Sequence, residues 1–158
     1  MEDRLQTCCF TGHRQLDALT ANALQAKLAD EIERMYCLQG LRNFITGGAM
    51  GFDTLAALSV LEARRRHRDI VLRLALPCEN QAGRWPAADR RIYESIKSQA
   101  DDVVYVSKEY SAGCMHLRNR FMVDNSSVCV AYLVHAGGGT AYTVKYAKRQ
   151  GLTLIRLN

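Results

Sequence analysis

Apolar positions along the chain follow two spacings. Short runs rich in apolar and β-branched residues, at 6–10, 42–46, 69–76, 102–106, 127–134 and 153–157, have the length of strands. Between them the spacing becomes helical. Leu24, Leu28, Ile32 and Met35 fall on one face and predict a helix over 21–39, capped by Thr20 and stopped by a left-handed Gly40. Further helices are predicted over 54–67, with Leu55, Leu58 and Leu61 as the buried stripe, and over 86–99, with Pro86 in its first position. Two more follow at 115–125 and 141–150, the last capped by Gly151. The run 69–76 is apolar almost throughout apart from Arg73, which suits a sheet covered on both faces. Strands alternating with helices predict an α/β architecture of three layers, a mainly parallel sheet flanked by helices, in a single domain over 1–158.

Candidate chemistry lies at the strand-to-helix turns. In an open parallel sheet, ligands bind beyond the carboxyl ends of the strands, where the strand order reverses. Four turns should gather there. One is Thr11, Gly12, His13 and Arg14; the next holds Gly47, Gly48, Met50, Gly51 and Asp53. The loop 77–85 brings Pro77, Glu79 and Trp85, and the last turn is Gly137, Gly138, Gly139 and Thr140. Glycines let a backbone approach a ligand closely, and a helix N-terminus offers free N–H groups and a positive dipole end to an anion. Either glycine turn alone could be just a tight connection; two of them opening helices favour a ligand.

Each side chain at these turns has a second reading. His13 is either an acid–base group or a hydrogen-bonding turn residue; Asp53 either binds a ribose hydroxyl or compensates a helix dipole. Trp85 either stacks on a base or lids the core. Arg118, beside Asn119, either forks onto a phosphate or belongs to a surface helix with an Arg120–Asp124 pair. Neither GxGxxG nor GxxxxGK[ST] occurs, which argues against an ordinary dehydrogenase or P-loop NTPase.

Composition narrows the classes further. A chain of 158 residues, 48% hydrophobic and 23% charged, can bury a core without staples and is not disordered. No apolar run approaches the ~18 residues that cross a bilayer, and the polar start predicts a cytoplasmic protein. Six cysteines without CxxC spacing read as buried reduced thiols, and four scattered histidines predict no metal. The net charge is +5, but Arg64, Arg65, Arg66 and Arg68 carry most of it at the end of a predicted helix, away from the crevice. Nucleic acid is therefore disfavoured as a partner.

The motifs TGHR, GGAMGFD, P-C-E-N-Q-x-x-x-W, R-N-R-F-M-V-D-N-S-S and GGGTAYTVKYA, in that order from Thr11 to Ala147, resemble the YpsA-like branch of the SLOG superfamily. That superfamily includes the Lonely-guy cytokinin-activating hydrolases and the Smf/DprA proteins. The resemblance implies a Rossmann-like fold holding a nucleotide or nucleotide derivative at the glycine turns; the first reading of the turns is a binder, as a sensor or otherwise, of a nucleotide or ADP-ribose-like molecule, and the sequence assigns no cofactor beyond that ligand. A homo-oligomer is expected by analogy. Lonely-guy enzymes cleave an N-glycosidic bond with the glutamate of PGGxGTxxE. Matching Gly139-Thr140 to that motif puts Thr143 at the glutamate, and a threonine cannot act as a carboxylate. Turnover is left open, with Glu79 and Asp124 as substitute carboxylates that the sequence does not place beside a bond. Smf/DprA relatives suggest single-stranded DNA binding, which needs a basic groove lined with stacking aromatics. It ranks third, after ligand binding and N-glycosidic hydrolysis.

Overall fold

The computed structural model describes residues 3–158. After a short 3-10 turn, Arg4–Gln6, the elements are β1 Thr7–Gly12, α1 Ala18–Gln39, β2 Asn43–Thr46, α2 Phe52–Arg66, β3 Val71–Leu76 and α3 Ala87–Gln99. The chain continues through β4 Asp102–Tyr105, α4 Cys114–Asp124, β5 Val128–Tyr132, α5 Gly139–Arg149 and β6 Thr153–Arg156. All neighbouring strands pair in parallel, in the order β4-β3-β2-β1-β5-β6. The order reverses at β1 and β5, so the crevice predicted for a ligand opens there.

Successive strand residues face opposite ways, and this divides the core into two layers of unequal bulk. Phe10, Phe44, Leu72 and Leu74 meet α1, α2 and α3 on one face. On the other, the smaller Cys9, Ala75 and Cys129 sit with Ile45 under α4 and α5, against Met122, Val123 and Ala147. The result is an open three-layer Rossmann-like fold, as the strand–helix alternation predicts.

Several local expectations need correction. Helix α1 starts at Ala18, because the Asp17 carboxylate accepts the Thr20 N–H at 2.7 Å; Thr20 is the capped residue and not the cap. At the other end Gly40 does adopt the left-handed conformation, φ 70°. Helix α2 buries Phe52, Ala56, Val60 and Ala63, whereas Leu58 is 39% exposed and Leu55 is half-buried. Of the predicted stripe Leu61 alone is buried; the alanines supply the rest of the buried face and allow α1 and α2 to pack closely. Pro86 stands just before α3 and not in its first turn. Five cysteines are buried and free, but Cys37 is exposed on α1.

The basic run ends α2 as expected. Arg64 pairs with Asp101 at 2.7 Å, Arg66 with Glu33 at 3.2 Å and Arg65 with Glu62 at 3.5 Å. Among the described residues no helix is long and apolar enough to cross a membrane.

Candidate functional site

A cavity of about 370 Å³ opens at the carboxyl ends of β1 and β5. β1 delivers Thr11 and Gly12 to its floor, and the turn beyond adds His13 and Arg14. Ala49 comes from the turn before α2 and Asp53 from its first turn, Met115, His116, Arg118 and Asn119 from the first two turns of α4, and Gly139 and Thr140 from the start of α5.

The arginines carry its electrostatics. Arg118 is 4% exposed; its Nε donates to Asn119 Oδ1 at 2.8 Å and its Nη1 to the Gly47 carbonyl. Its Nη2 lies 3.8 Å from Met115 Sδ, and Nη2 of Arg14 approaches the same sulfur at 3.5 Å. Two guanidinium groups thus meet over one methionine. Among the described residues neither forms an ion pair within 4.0 Å. The nearby carboxylate is Asp53, buried, with Oδ2 accepting the Ala49 N–H at 3.1 Å. Burial pushes its carboxyl up, while Arg118, that N–H and Arg14 pull the other way. Burial also lowers Arg118, opposed chiefly by Asp53.

The two glycine turns are built differently. At Gly47 a Cβ would stand 2.5 Å from Arg118 Nη1 and 2.9 Å from Asp53 Oδ2. At Gly51, φ 75°, a Cβ would lie 2.7 Å from the His13 carbonyl oxygen and closer still to that of Arg14, while the next residue, Phe52, donates its N–H to His13 at 3.1 Å. Gly48 faces the Leu76 side chain and receives Gln81 Nε2 on its carbonyl at 3.3 Å. These glycines admit neighbouring parts of the protein. Around Gly137 and Gly138, by contrast, a Cβ would meet nothing within 4 Å, and the nearest atom at Gly139 is Asn119 Nδ2 at 3.8 Å. The first N–H groups of α5 have no intrahelical partner, as at any helix start.

His13 is fixed by its own contacts. Nε2 accepts the Val134 N–H at 2.9 Å, which leaves Nδ1 to carry the proton of the neutral ring, and the ring lies 4.6 Å from that of His135. Burial, then His135, lowers its pKa.

Other sequence candidates lie outside this cavity. Met50 and Gly51 line a second one, about 500 Å³, which shares Arg14 with the first and has walls from Leu16, Leu55 and Ile92. Pro77 is buried beneath the loop after β3; Glu79 is exposed, with its N–H on Lys108. Trp85 packs edge-on against Tyr93 at 5.1 Å, on the larger core. Asp124 ends α4 and accepts the Tyr146 hydroxyl at 2.7 Å. Thr143 is fully buried and donates its hydroxyl to the Gly139 carbonyl at 2.8 Å. Of the acidic residues described, Asp53 alone lines the cavity, and no set of metal donors does.

Sequence reasoning missed Phe10, Ala49, Met115, His116 and Met122 in the lining. Met115 and His116 were recoverable. They precede Arg118 and Asn119 by three residues, one helical turn, so any helix aiming those two at the site carries the other pair with them.

Comparison with known proteins agrees with this fold. The family model YpsA, the YspA SLOG family, matches residues 8–153. YoqJ, an uncharacterized SPbeta prophage-derived protein of Bacillus subtilis (strain 168), is 30% identical over 138 residues, covering 80% of this chain and 81% of that one. DNA processing protein A from Helicobacter pylori, known for its single-stranded DNA binding mode, superposes with a TM-score of 0.69 at 17% identity, over 98% of this chain and 66% of its own. The Streptococcus pneumoniae protein of the same name gives 0.67 at 14% identity, over 95% of this chain and 49% of its own, so the chain spans about half its length. At such identities the likeness to these two is one of fold. The family match, however, contains every motif from Thr11 to Ala147, and the chain belongs to the YspA SLOG family.

Proposed function

We propose that this chain binds a nucleotide or nucleotide-derived anion, a nucleoside phosphate or an ADP-ribose-like molecule, in the cavity between β1 and β5. The observation that carries the reading is the convergence of Arg14 and Arg118 on Met115, with the buried Asp53 as the nearby counter-charge. Two cations against one carboxylate leave a positive charge in a partly desolvated site, and a phosphate neutralises it. The start of α5 faces the same space through Gly139 and Thr140, and its N–H groups add a second set of anion donors. The neighbouring cavity, which shares Arg14 and has apolar walls from Leu16, Leu55 and Ile92, takes the base. Such a binder acts as a sensor in the cytoplasm, where nucleotides are abundant.

A calorimetric screen of AMP, ADP, cyclic nucleotides, NAD and ADP-ribose tests the proposal, with Arg14→Ala as the control. Saturable binding that weakens in the variant supports it; no heat from any of these ligands overturns it.

Asp53 favours a second reading, hydrolysis of an N-glycosidic bond. Water adds across the bond between ribose C1′ and the base nitrogen, releasing free base and the sugar phosphate. A carboxyl whose pKa is raised by burial suits proton donation to the departing base. Base release from a nucleoside monophosphate, lost in Asp53→Asn, is the expected outcome; release that survives this substitution removes Asp53 from the reaction. The two DNA processing proteins bring single-stranded DNA back as a third ligand class, one presenting the same phosphate chemistry. An unlabelled oligonucleotide competing with a bound nucleotide in a salt-dependent way would favour it.

A further inference from the structure

We infer that Glu33, Cys37 and His67 form a binding site for a single zinc ion, at the edge of the sheet opposite the nucleotide cavity. The three donor atoms, a carboxylate oxygen, the Cys37 sulfur and an imidazole nitrogen, all lie within 4.8 Å of one another. Glu33 Oε1 is 2.7 Å from His67 Nε2 and 3.9 Å from Cys37 Sγ. Ligand bonds of about 2.0–2.3 Å at tetrahedral angles put neighbouring donors roughly 3.3–3.7 Å apart. The present donor separations differ from that spacing by about an ångström or less.

The surroundings favour ligation. Glu33 and Cys37 are four residues apart on α1, so one helical face presents both donors. His67 follows the last turn of α2, and its ring stacks on Tyr36 at 4.1 Å, which limits its rotation. Arg66 Nη2 holds the other Glu33 oxygen, Oε2, at 3.2 Å, leaving Oε1 as the ligand atom. A thiol, an imidazole and a carboxylate together suit zinc better than magnesium or calcium, which prefer oxygen alone.

Binding replaces the Glu33–His67 hydrogen bond with two bonds to the metal. Cys37 loses its thiol proton to solvent, His67 binds neutral through Nε2 with its remaining proton on Nδ1, and water fills the fourth position. One thiolate and one carboxylate balance the divalent charge. The ion clips the ends of α1 and α2 together, and nothing in this site depends on the nucleotide reading.

Cobalt(II) is the probe, since thiolate ligation gives it a near-ultraviolet charge-transfer band and tetrahedral coordination gives intense visible bands. Titration of the full chain should yield both at one equivalent, and zinc should displace them. Cys37→Ser should remove the charge-transfer band, and His67→Gln should weaken cobalt binding by at least about tenfold. Zinc should also raise the Tm of the wild-type chain and leave both variants unchanged, each checked as folded by circular dichroism. No cobalt spectrum, or one that persists in Cys37→Ser, overturns the inference.

Discussion

The two glycine turns look alike in sequence and do opposite work in the structure. Gly47-Gly48-Ala49-Met50-Gly51 is packed: the Arg118 guanidinium, the Leu76 side chain and the turn at His13 and Arg14 occupy the volume that side chains would need. Gly137-Gly138-Gly139 opens α5 with free space around it. The first turn builds the wall that holds Arg118 and Asp53. The second leaves a helix start accessible to an anion. Glycine at a strand-to-helix turn therefore serves either to admit the protein or to admit a ligand, and only the packing tells which.

Substitution by alanine separates the two cases. Gly51→Ala forces a Cβ into the carbonyls of residues 13 and 14 at a positive φ, and should destabilise the fold by about 2–4 kcal/mol, read as a lowered urea midpoint. Gly137→Ala has open space and no positive φ, so its midpoint should move by no more than about 0.5 kcal/mol. Comparable losses at both sites would abolish the distinction.

The next effect is on binding. Arg14 is exposed, so Arg14→Ala leaves the fold intact but removes a charge-assisted contact, and nucleotide affinity should fall by about tenfold or more in calorimetry. Unchanged affinity would move the phosphate away from the arginine pair. Ala56→Leu on α2 adds volume to a fully buried position and should cost about 1–3 kcal/mol, whereas Leu58→Ala should cost less than about 1 kcal/mol.

The smallest effect is with pH. The folded chain holds the His13 pKa below its ordinary 6.5, so the unfolded chain takes up the proton first as pH falls. This contribution to stability is complete above about pH 6.5 and is lost as pH drops through the lowered folded value. Because His13 is only partly buried the slope should be shallow. Comparing Tm from pH 7 to pH 5 in wild type and His13→Gln should show a weaker dependence in the variant, and parallel curves would assign the slope to other groups.

Much of the fold was legible because strand runs and helical spacings alternate so regularly. The buried stripe of α2 was legible only at Leu61, since hydrophobicity ranks Leu58 above Ala56 while close helix packing ranks them the other way. Thr20 resembled a cap because Asp17, equally good in that role, sits three residues earlier, outside the apolar pattern. At the site, the turn at Thr11–Gly12–His13–Arg14, Asp53, Arg118 and the start of α5 could be anticipated, because topology alone sends them to the same edge. Trp85 could not be told apart: a lone aromatic after a loop gives the same signal whether it meets a ligand or Tyr93. The Glu33–Cys37–His67 cluster was invisible for another reason, since its third member comes from just beyond the end of a different helix, 30 residues after Cys37.

Backbone amide shifts in a nitrogen-15 NMR titration with AMP and with ADP-ribose address the difference between the turns most directly. The N–H signals of Gly139 and Thr140 should move in a saturable way while those of Gly47 and Gly48, shielded behind Arg118 and Leu76, stay nearly still. Shifts concentrated at Gly47 and Gly48, with none at Gly139 and Thr140, would contradict this assignment and make the packed turn the ligand cradle.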